Sequence, residues 1–272
     1  MDEILLLEDA TAELWEMCLT AVQYVINRKR YELFHVPPDF VPLLERSWKE
    51  DHPLLYGRFD LCYKEGRVKL LEFNADTPTS LYEAGIVQWF WLQEFENKDQ
   101  FNSIHEKLIA QWRFLRHYLY PGPLHFTCLR GTLEDLTNVE YIRDCAIQAD
   151  IETHFLYLEE IGWDPRQQVF VDKAGRPVRT LLWELFPGHP YLLPVYFSAG
   201  GLTNYVKKPI LSREGANIDM VYQEMFQLPD FGNNYPLTGS WIIGREPAGI
   251  GIREAGSLIT DNLSRFVPHL IE

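Results

Sequence analysis

The sequence predicts a mixed fold with α+β and α/β parts, and three stretches carry that reading. Residues 56–79 (YGRFDLCYKEGRVKLLEFNADTPT) read as two short strands around a tight turn. Residues 124–158 alternate strand, helix and strand, and the chain from about Thr203 onward is strand-rich and punctuated by glycine.

Taken in order, residues 9–29 place Leu14, Cys18, Val22 and Val25 at helical spacing, with Trp15 and Leu19 beside them, as an amphipathic helix requires. HVPPDFVPLLERSWKEDHP is a proline-punctuated connector into the hairpin. With a three-residue turn at Glu65-Gly66-Arg67, Asp60 lies opposite Glu72 and Arg58 opposite Asn74. Alternation then puts Arg58, Asp60, Glu72 and Asn74 on one face and Phe59, Leu61, Leu71 and Phe73 on the other. Thr79 or Ser80 can cap a helix running to about Phe95, with Glu83 completing a capping box from Ser80. Its Ile86, Val87, Trp89, Phe90, Trp91 and Leu92 are apolar nearly all round, which predicts burial. A further helix spans about 102–118.

The α/β stretch follows: strand 124–129, helix 136–148 and strand 151–158, continued by 169–172 with a turn at Gly175-Arg176-Pro177. Glu134 and Asp135 stand between strand and helix, where open α/β sheets place ligand groups and where acids also cap first turns. In the last part, Lys207 and Lys208 sit mid-strand in YVKKPIL, and SREGAN puts Arg213 beside a glycine turn whose amides suit an anion, although most such turns are only turns. Gln223 and Leu228 lie in a short apolar segment suited to a nucleotide-pocket floor, and Arg253 ends a glycine-rich strand.

Composition bounds the function. The 272 residues, 46% hydrophobic and 24% charged, suit a soluble globular chain with a sizeable core. Aromatics at 14%, eight of them Trp, suggest a large core or an aromatic-lined cleft. A net charge of −14 argues against nucleic acid as the main partner and suits an amine substrate. Cys18, Cys62, Cys128 and Cys145 are widely spaced, so neither a zinc site nor a disulfide framework follows. The acidic start lacks a signal-peptide pattern and no apolar run reaches membrane-spanning length, so a cytoplasmic protein is expected. P-loop, dinucleotide, GxSxG and HExxH motifs are absent, and the eight His are scattered.

The hairpin face has the chemistry of a cation site. Two carboxylates and an amide offer oxygen ligands to Mg²⁺, and an arginine beside them supplies a fixed cation for phosphate or a developing oxyanion. The same pattern also describes an ordinary salt-bridged face of a sheet.

Several blocks, GRFD…LLEFNADTPTSLYE, LLWELFPGHPYLLP, YVKKPILSREGAN, YQEMFQLP and GSWIIG…GIGIRE…ITDNLSRFVPH, resemble the synthetase domain of glutathionylspermidine synthase, without its amidase domain. The resemblance runs from about Leu14 to His269. It implies an ATP-grasp fold with a preceding pre-ATP-grasp α/β domain, which divides the chain into a helical segment 1–55, a metal-site hairpin and pre-ATP-grasp region 56–178, and a nucleotide-binding region 179–272. It also implies an ATP- and Mg²⁺-dependent carboxylate–amine ligase. ATP would phosphorylate a carboxylate and an amine would attack the acyl phosphate.

By the family pattern Asp60, Glu72 and Asn74 hold Mg²⁺ (two ions), and Arg58 stabilises the acyl phosphate. Lys208, Gln223, Leu228 and Arg253 bind ATP. Thr77, Thr79, Ser80 and Arg213 meet the acid, glutathione or another peptide, and Glu134 with Asp135 meets the amine, such as a polyamine. Here the acidic pair is Glu-Asp where the family has two Glu. Two departures stand out. Val178-Arg179-Thr180 runs straight into LLWELFPGHP, without the family's first ATP lysine, and the stretch between GANI and VYQE is short. The start also lies well inside the family's usual one. Two expectations follow: an intact ligase whose flexible lid pieces are missing from this sequence, favoured because the flanking blocks are whole, or a non-catalytic nucleotide-binding or scaffold relative.

Overall fold

The computed structural model describes residues 2–34, 36–75, 78–131, 133–167, 169–178, 195–196, 205–209, 220–258 and 264–272, with 195–196, 205–209 and 220–222 described by their backbone alone. The helices are α1 (Asp2–Arg28), α2 (Val41–Lys49), α3 (Gln88–Leu92, entered through a π-helical turn Glu83–Val87), α4 (Ile104–Leu115) and α5 (Leu133–Gln148). The strands are β1 (Tyr56–Lys64), β2 (Arg67–Asn74), β3 (Leu124–Phe126), β4 (Thr153–Phe155), β5 (Gly162–Asp164), β6 (Val169–Val171), β7 (Val195–Tyr196), β8 (Tyr205–Pro209), β9 (Met220–Glu224), β10 (Tyr235–Ile243), β11 (Glu246–Ala255) and β12 (Arg265–Val267).

The central sheet has five antiparallel strands in the order β12-β11-β10-β1-β2. It takes strands from both sides of residue 178, so the hairpin and the C-terminal strands form one layer. The parallel pair β3-β4 with α5 between them is the βα unit expected from the alternation. β5-β6 and β7-β9-β8 form two small antiparallel sheets.

One face of the central sheet packs on α1. Leu7, Ala10, Leu14, Cys18, Ala21 and Val25 recur every three or four residues, are all buried, and form the seam. Leu7, Ala10, Leu14 and Cys18 meet Phe59, Leu61, Val68, Leu70, Ile242 and Ile250 of the sheet. The helix begins at Asp2, earlier than the expected start at residue 9. Asp2 and Glu3 in its first turn favour it by complementing the helix dipole. Thr11 and Ser240, both fully buried, share a 2.6 Å hydroxyl–hydroxyl bond that ties α1 to β10. The opposite face carries Trp241, Ile243 and Ala248 against α4, α5 and Leu81.

The connector before the hairpin is more ordered than its prolines suggest. It contains α2, with Pro42 in the first turn, where a missing N–H costs nothing. The expected Ser80–Glu83 capping box does not form. Ser80 has φ +66°, and the Leu81 and Tyr82 amides donate instead to Asn138 Oδ1 of α5 at 3.1 and 3.3 Å. Nor is the following helix buried all round or as long as expected. It ends at Leu92, and Val87, Trp89 and Phe90 are exposed, because α4, α5 and β11 cover only one side of it. The 102–118 helix is trimmed to Ile104–Leu115, and the 124–129 and 151–158 strands are three residues each.

Candidate functional site

The hairpin register places the polar face as expected: Arg58 pairs with Asn74 and Asp60 with Glu72. The route to that register differs. The turn is Glu65-Gly66 alone, with φ of +52° and +70°, so Lys64 pairs with Arg67. A bulge between Asp60 and Leu61 restores the one-residue offset, so Leu61 pairs with Leu70. Leu71 therefore leaves the α1 face and packs near Cys62, Leu228 and Leu237. Gln223 holds the bulge from outside, its Nε2 donating to Leu71 O at 3.2 Å.

Arg58 is the hub. It is 4% exposed and grips the carboxylate of Asp60 two residues on, through Nε to Oδ1 at 2.5 Å and Nη2 to Oδ2 at 3.0 Å. Its Nη1 donates to Thr79 O at 2.6 Å, and its guanidinium lies 5.5 Å over the Trp241 ring. Arg253, from β11, adds a second cation: its Nη2 donates to Asp60 Oδ2 at 2.6 Å. Burial disfavours both charges of the Arg58–Asp60 pair, but their mutual attraction outweighs it. Asp60 is held below the usual carboxylate range by Arg58 and Arg253, and Arg58 is raised by Asp60, Glu72 and Glu134.

Glycine makes the close packing possible. A Cβ at Gly239 would stand 2.8 Å from Arg58 Cδ, so only glycine at this β10 position lets the arginine lie across the strand.

Asn74 Nδ2 lies 3.2 Å from Glu72 Oε1 and 3.4 Å from Asp60 Oδ2, so the three side chains meet at one edge of the hairpin. Among the described residues no group of three or more His, Cys, Asp or Glu forms a cation cage. The donors here are two carboxylates and an amide, hard oxygen ligands that suit Mg²⁺ in kind. Asp60 Oδ2 accepts from guanidinium N–H groups of both Arg58 and Arg253, and Oδ1 accepts from Arg58 Nε. The set therefore fits a cation through Glu72, Asp60 Oδ1 and an Asn74 amide turned oxygen-inward.

The remaining candidates divide. Thr79 contributes its backbone carbonyl. Ser80 sits in a left-handed conformation beside it. Glu134, exposed on the first turn of α5, is close enough to Arg58 to stabilise its charge, while its neighbour Asp135 bears on the Cys128 thiol and helps raise it. Leu228 is buried with Cys62 and Leu237. The Lys208 backbone lies in β8 opposite Val221. Thr77 and Arg213 lie outside the described residues, as does the side chain of Lys208.

Sequence reasoning missed three contributors: Trp241 under Arg58, Gly239, and Asn138 as the cap of residues 81 and 82. The Trp241 and Gly239 roles depend on which strand lies beside β1. Asn138 acts across a separation of 57 residues.

The site is a buried arginine gripped by an aspartate on an inner strand of the sheet, with acidic groups around it, in a mixed α/β frame. The family model described as "Glutathionylspermidine synthase preATP-grasp" matches residues 1–182, 179–221 and 218–272, and the chain belongs to that family. A Haemophilus influenzae protein described as an acid–amine ligase is 34% identical over 342 aligned positions, covering 98% of this chain and 87% of that protein. The bifunctional glutathionylspermidine synthetase/amidase of Escherichia coli is 24% identical, covering 96% of this chain and 57% of its own length. The trypanothione synthetase of Crithidia fasciculata is 22% identical, with 93% and 53% covered. The chain thus spans little more than half of the two larger relatives.

A solved glutathione synthetase-like effector from Globodera pallida shares the fold, with a TM-score of 0.58 at 9% identity over 94% of this chain and 85% of that one. The 342 aligned positions against a 272-residue chain leave at least 70 positions of the Haemophilus protein without a counterpart. The family match is broken at 179–182 and 218–221, the same two places where the sequence runs short.

Proposed function

We propose that the protein is an ATP-dependent carboxylate–amine ligase with an ATP-grasp nucleotide clamp. The terminal phosphoryl group of ATP passes to a carboxylate, and the amine then displaces phosphate to form the amide. The observation that carries this reading is Arg58, a buried guanidinium positioned by Asp60, Thr79 and Trp241, with the acidic residues Glu72 and Glu134 nearby.

Arg58 binds the acyl phosphate oxygens and the oxyanion that forms as the amine attacks. Its fixed partners keep it charged and oriented before substrate arrives. Asp60 and Arg253 set that orientation. Glu72, Asn74 and Asp60 Oδ1 are the groups that would hold Mg²⁺, which neutralises phosphate charge when bound. Glu134 attracts the ammonium form of the amine. Lys208, Gln223, Leu228 and Arg253 are assigned to the nucleotide, and Thr77, Thr79, Ser80 and Arg213 to the acid.

ADP release from Mg²⁺-ATP, measured over a panel of acids and amines, tests the ligase. Release that needs both an acid and an amine supports it, and ATP binding without such release overturns it. A second reading, a nucleotide-binding relative that no longer catalyses, is favoured by one observation. The break in the family match at 179–182 falls where the first ATP lysine is absent.

A further inference from the structure

A groove of about 470 Å³ runs between the π-helical turn, α4 and α5, outside the hairpin site. Its walls are Tyr82, Ile86, Leu133 and Leu136, and its floor is Tyr141 with His105. The two floor rings lie parallel, 15° apart with centroids separated by 5.9 Å, and His105 Nδ1 is 3.3 Å from the Tyr141 hydroxyl. That contact occupies the Tyr141 hydroxyl and His105 Nδ1, and the two stacked rings form the floor. Leu133, at the mouth, is a large apolar side chain that is 77% exposed among the described residues.

The groove has a direction. At one end, Tyr82 follows three residues after Thr79, whose carbonyl holds Arg58, and Leu133 precedes Glu134, whose charge acts on Arg58. At the other end stand Glu140 and Asp144, one and a half to three helical turns further along α5. Glu140 is paired with Arg143 at 2.6 Å, and Asp144 accepts from the neutral Gln148 amide at 2.7 Å. Between the two ends the groove surface is mainly apolar.

Resting on the ligase reading, we propose that this groove holds the body of the amine substrate. The ammonium end lies toward Glu134 and Arg58, and a single apolar chain or ring lies on Tyr141 and His105. The preferred amine is therefore a primary alkyl- or arylalkylamine with one cationic end, and its apolar body carries the selectivity.

The test is calorimetric titration of the native protein, with and without Mg²⁺-ATP, using methylamine, butylamine, hexylamine and phenethylamine. Affinity should rise roughly fourfold per added methylene as the chain enters the groove. Thr137→Trp, which fills the groove, and Leu133→Ser, at an exposed position that packing does not need, should each weaken hexylamine at least tenfold and leave methylamine within twofold. Hexylamine binding no tighter than methylamine, or unchanged in both variants, overturns the proposal. So does a polyamine that binds tighter than hexylamine and loses that advantage in Glu140→Gln. Binding is read independently of turnover, so groove-dependent amine binding without ADP release would sink the ligase and leave the groove standing.

Discussion

Arg253 reaches from β11 across β10 to Asp60 on β1, donating from Nη2 to Oδ2 at 2.6 Å, and on the β10 strand between them Gly239 pairs with Asp60 on one side and Gly251 on the other. Asp60, 1% exposed, is thereby a buried anion between the buried Arg58 and the half-buried Arg253, and its removal strands both. Asp60→Ala should cost about 3–5 kcal/mol of stability, because breaking a buried pair leaves uncompensated charge. The double change Asp60→Leu with Arg58→Met should recover most of that loss. Urea unfolding of both variants checks it; a single variant as stable as the parent would show that the pair is not desolvated in solution.

Glu72 separates the cation role from the structural one. Its side chain is exposed, so Glu72→Gln should leave stability within about 0.5 kcal/mol. Loss of one transition-state partner should nevertheless lower turnover on the order of 10²–10³-fold and raise the Mg²⁺ concentration for half-maximal rate. Unchanged turnover and Mg²⁺ dependence in Glu72→Gln would remove this residue from the cation set.

Gly239→Ala places a methyl 2.8 Å from Arg58 Cδ and 3.3 Å from Gly251 O. The arginine has no free space to yield into, so about 1–3 kcal/mol of stability should be lost, together with most turnover. Gly256→Ala is the control, since nothing lies within 4 Å of a Cβ there. Thermal unfolding of the pair, with ADP release alongside, tests whether glycine is needed at 239 for the arginine or only for the strand.

The hairpin shows how far the sequence could be read. An assumed three-residue turn, with period-two alternation keeping the apolar residues on one face, put Asp60 against Glu72. Yet the turn is one residue shorter than expected and the bulge compensates, because a Glu at φ +52° is not a residue that announces a tight turn. The α1 seam and the βα unit were legible for the same reason: periodicity is a local signal. The Arg253–Asp60 contact was not, because it depends on strand order set by chain ends 193 residues apart. The exposure of Trp89 and Phe90 was missed because hydrophobicity reports what a side chain prefers, while burial depends on what the fold sets opposite it.

His269 should make the C-terminal segment acid-sensitive. It is 8% exposed, and burial lowers its pKa from the usual value to about 4. Gln88 Nε2 donates to Ala84 O and Ile250 O, which fixes Oε1 as the acceptor from His269 Nδ1–H at 2.9 Å. The other ring nitrogen, Nε2, accepts from the Phe101 amide at 3.2 Å, so a proton added there would face an N–H. The unfolded ring binds its proton near pH 6.5 and the folded ring only near pH 4. In that window the unfolded state holds more protons, so stability falls as pH drops from about 6.5 and levels off below about 4, by at most about 3 kcal/mol. His269→Gln should flatten that slope, at some cost in stability at neutral pH. Urea midpoints for parent and variant between pH 4 and 7.5 decide it: parallel curves would mean that His269 titrates normally and does not hold the C-terminal segment against α3.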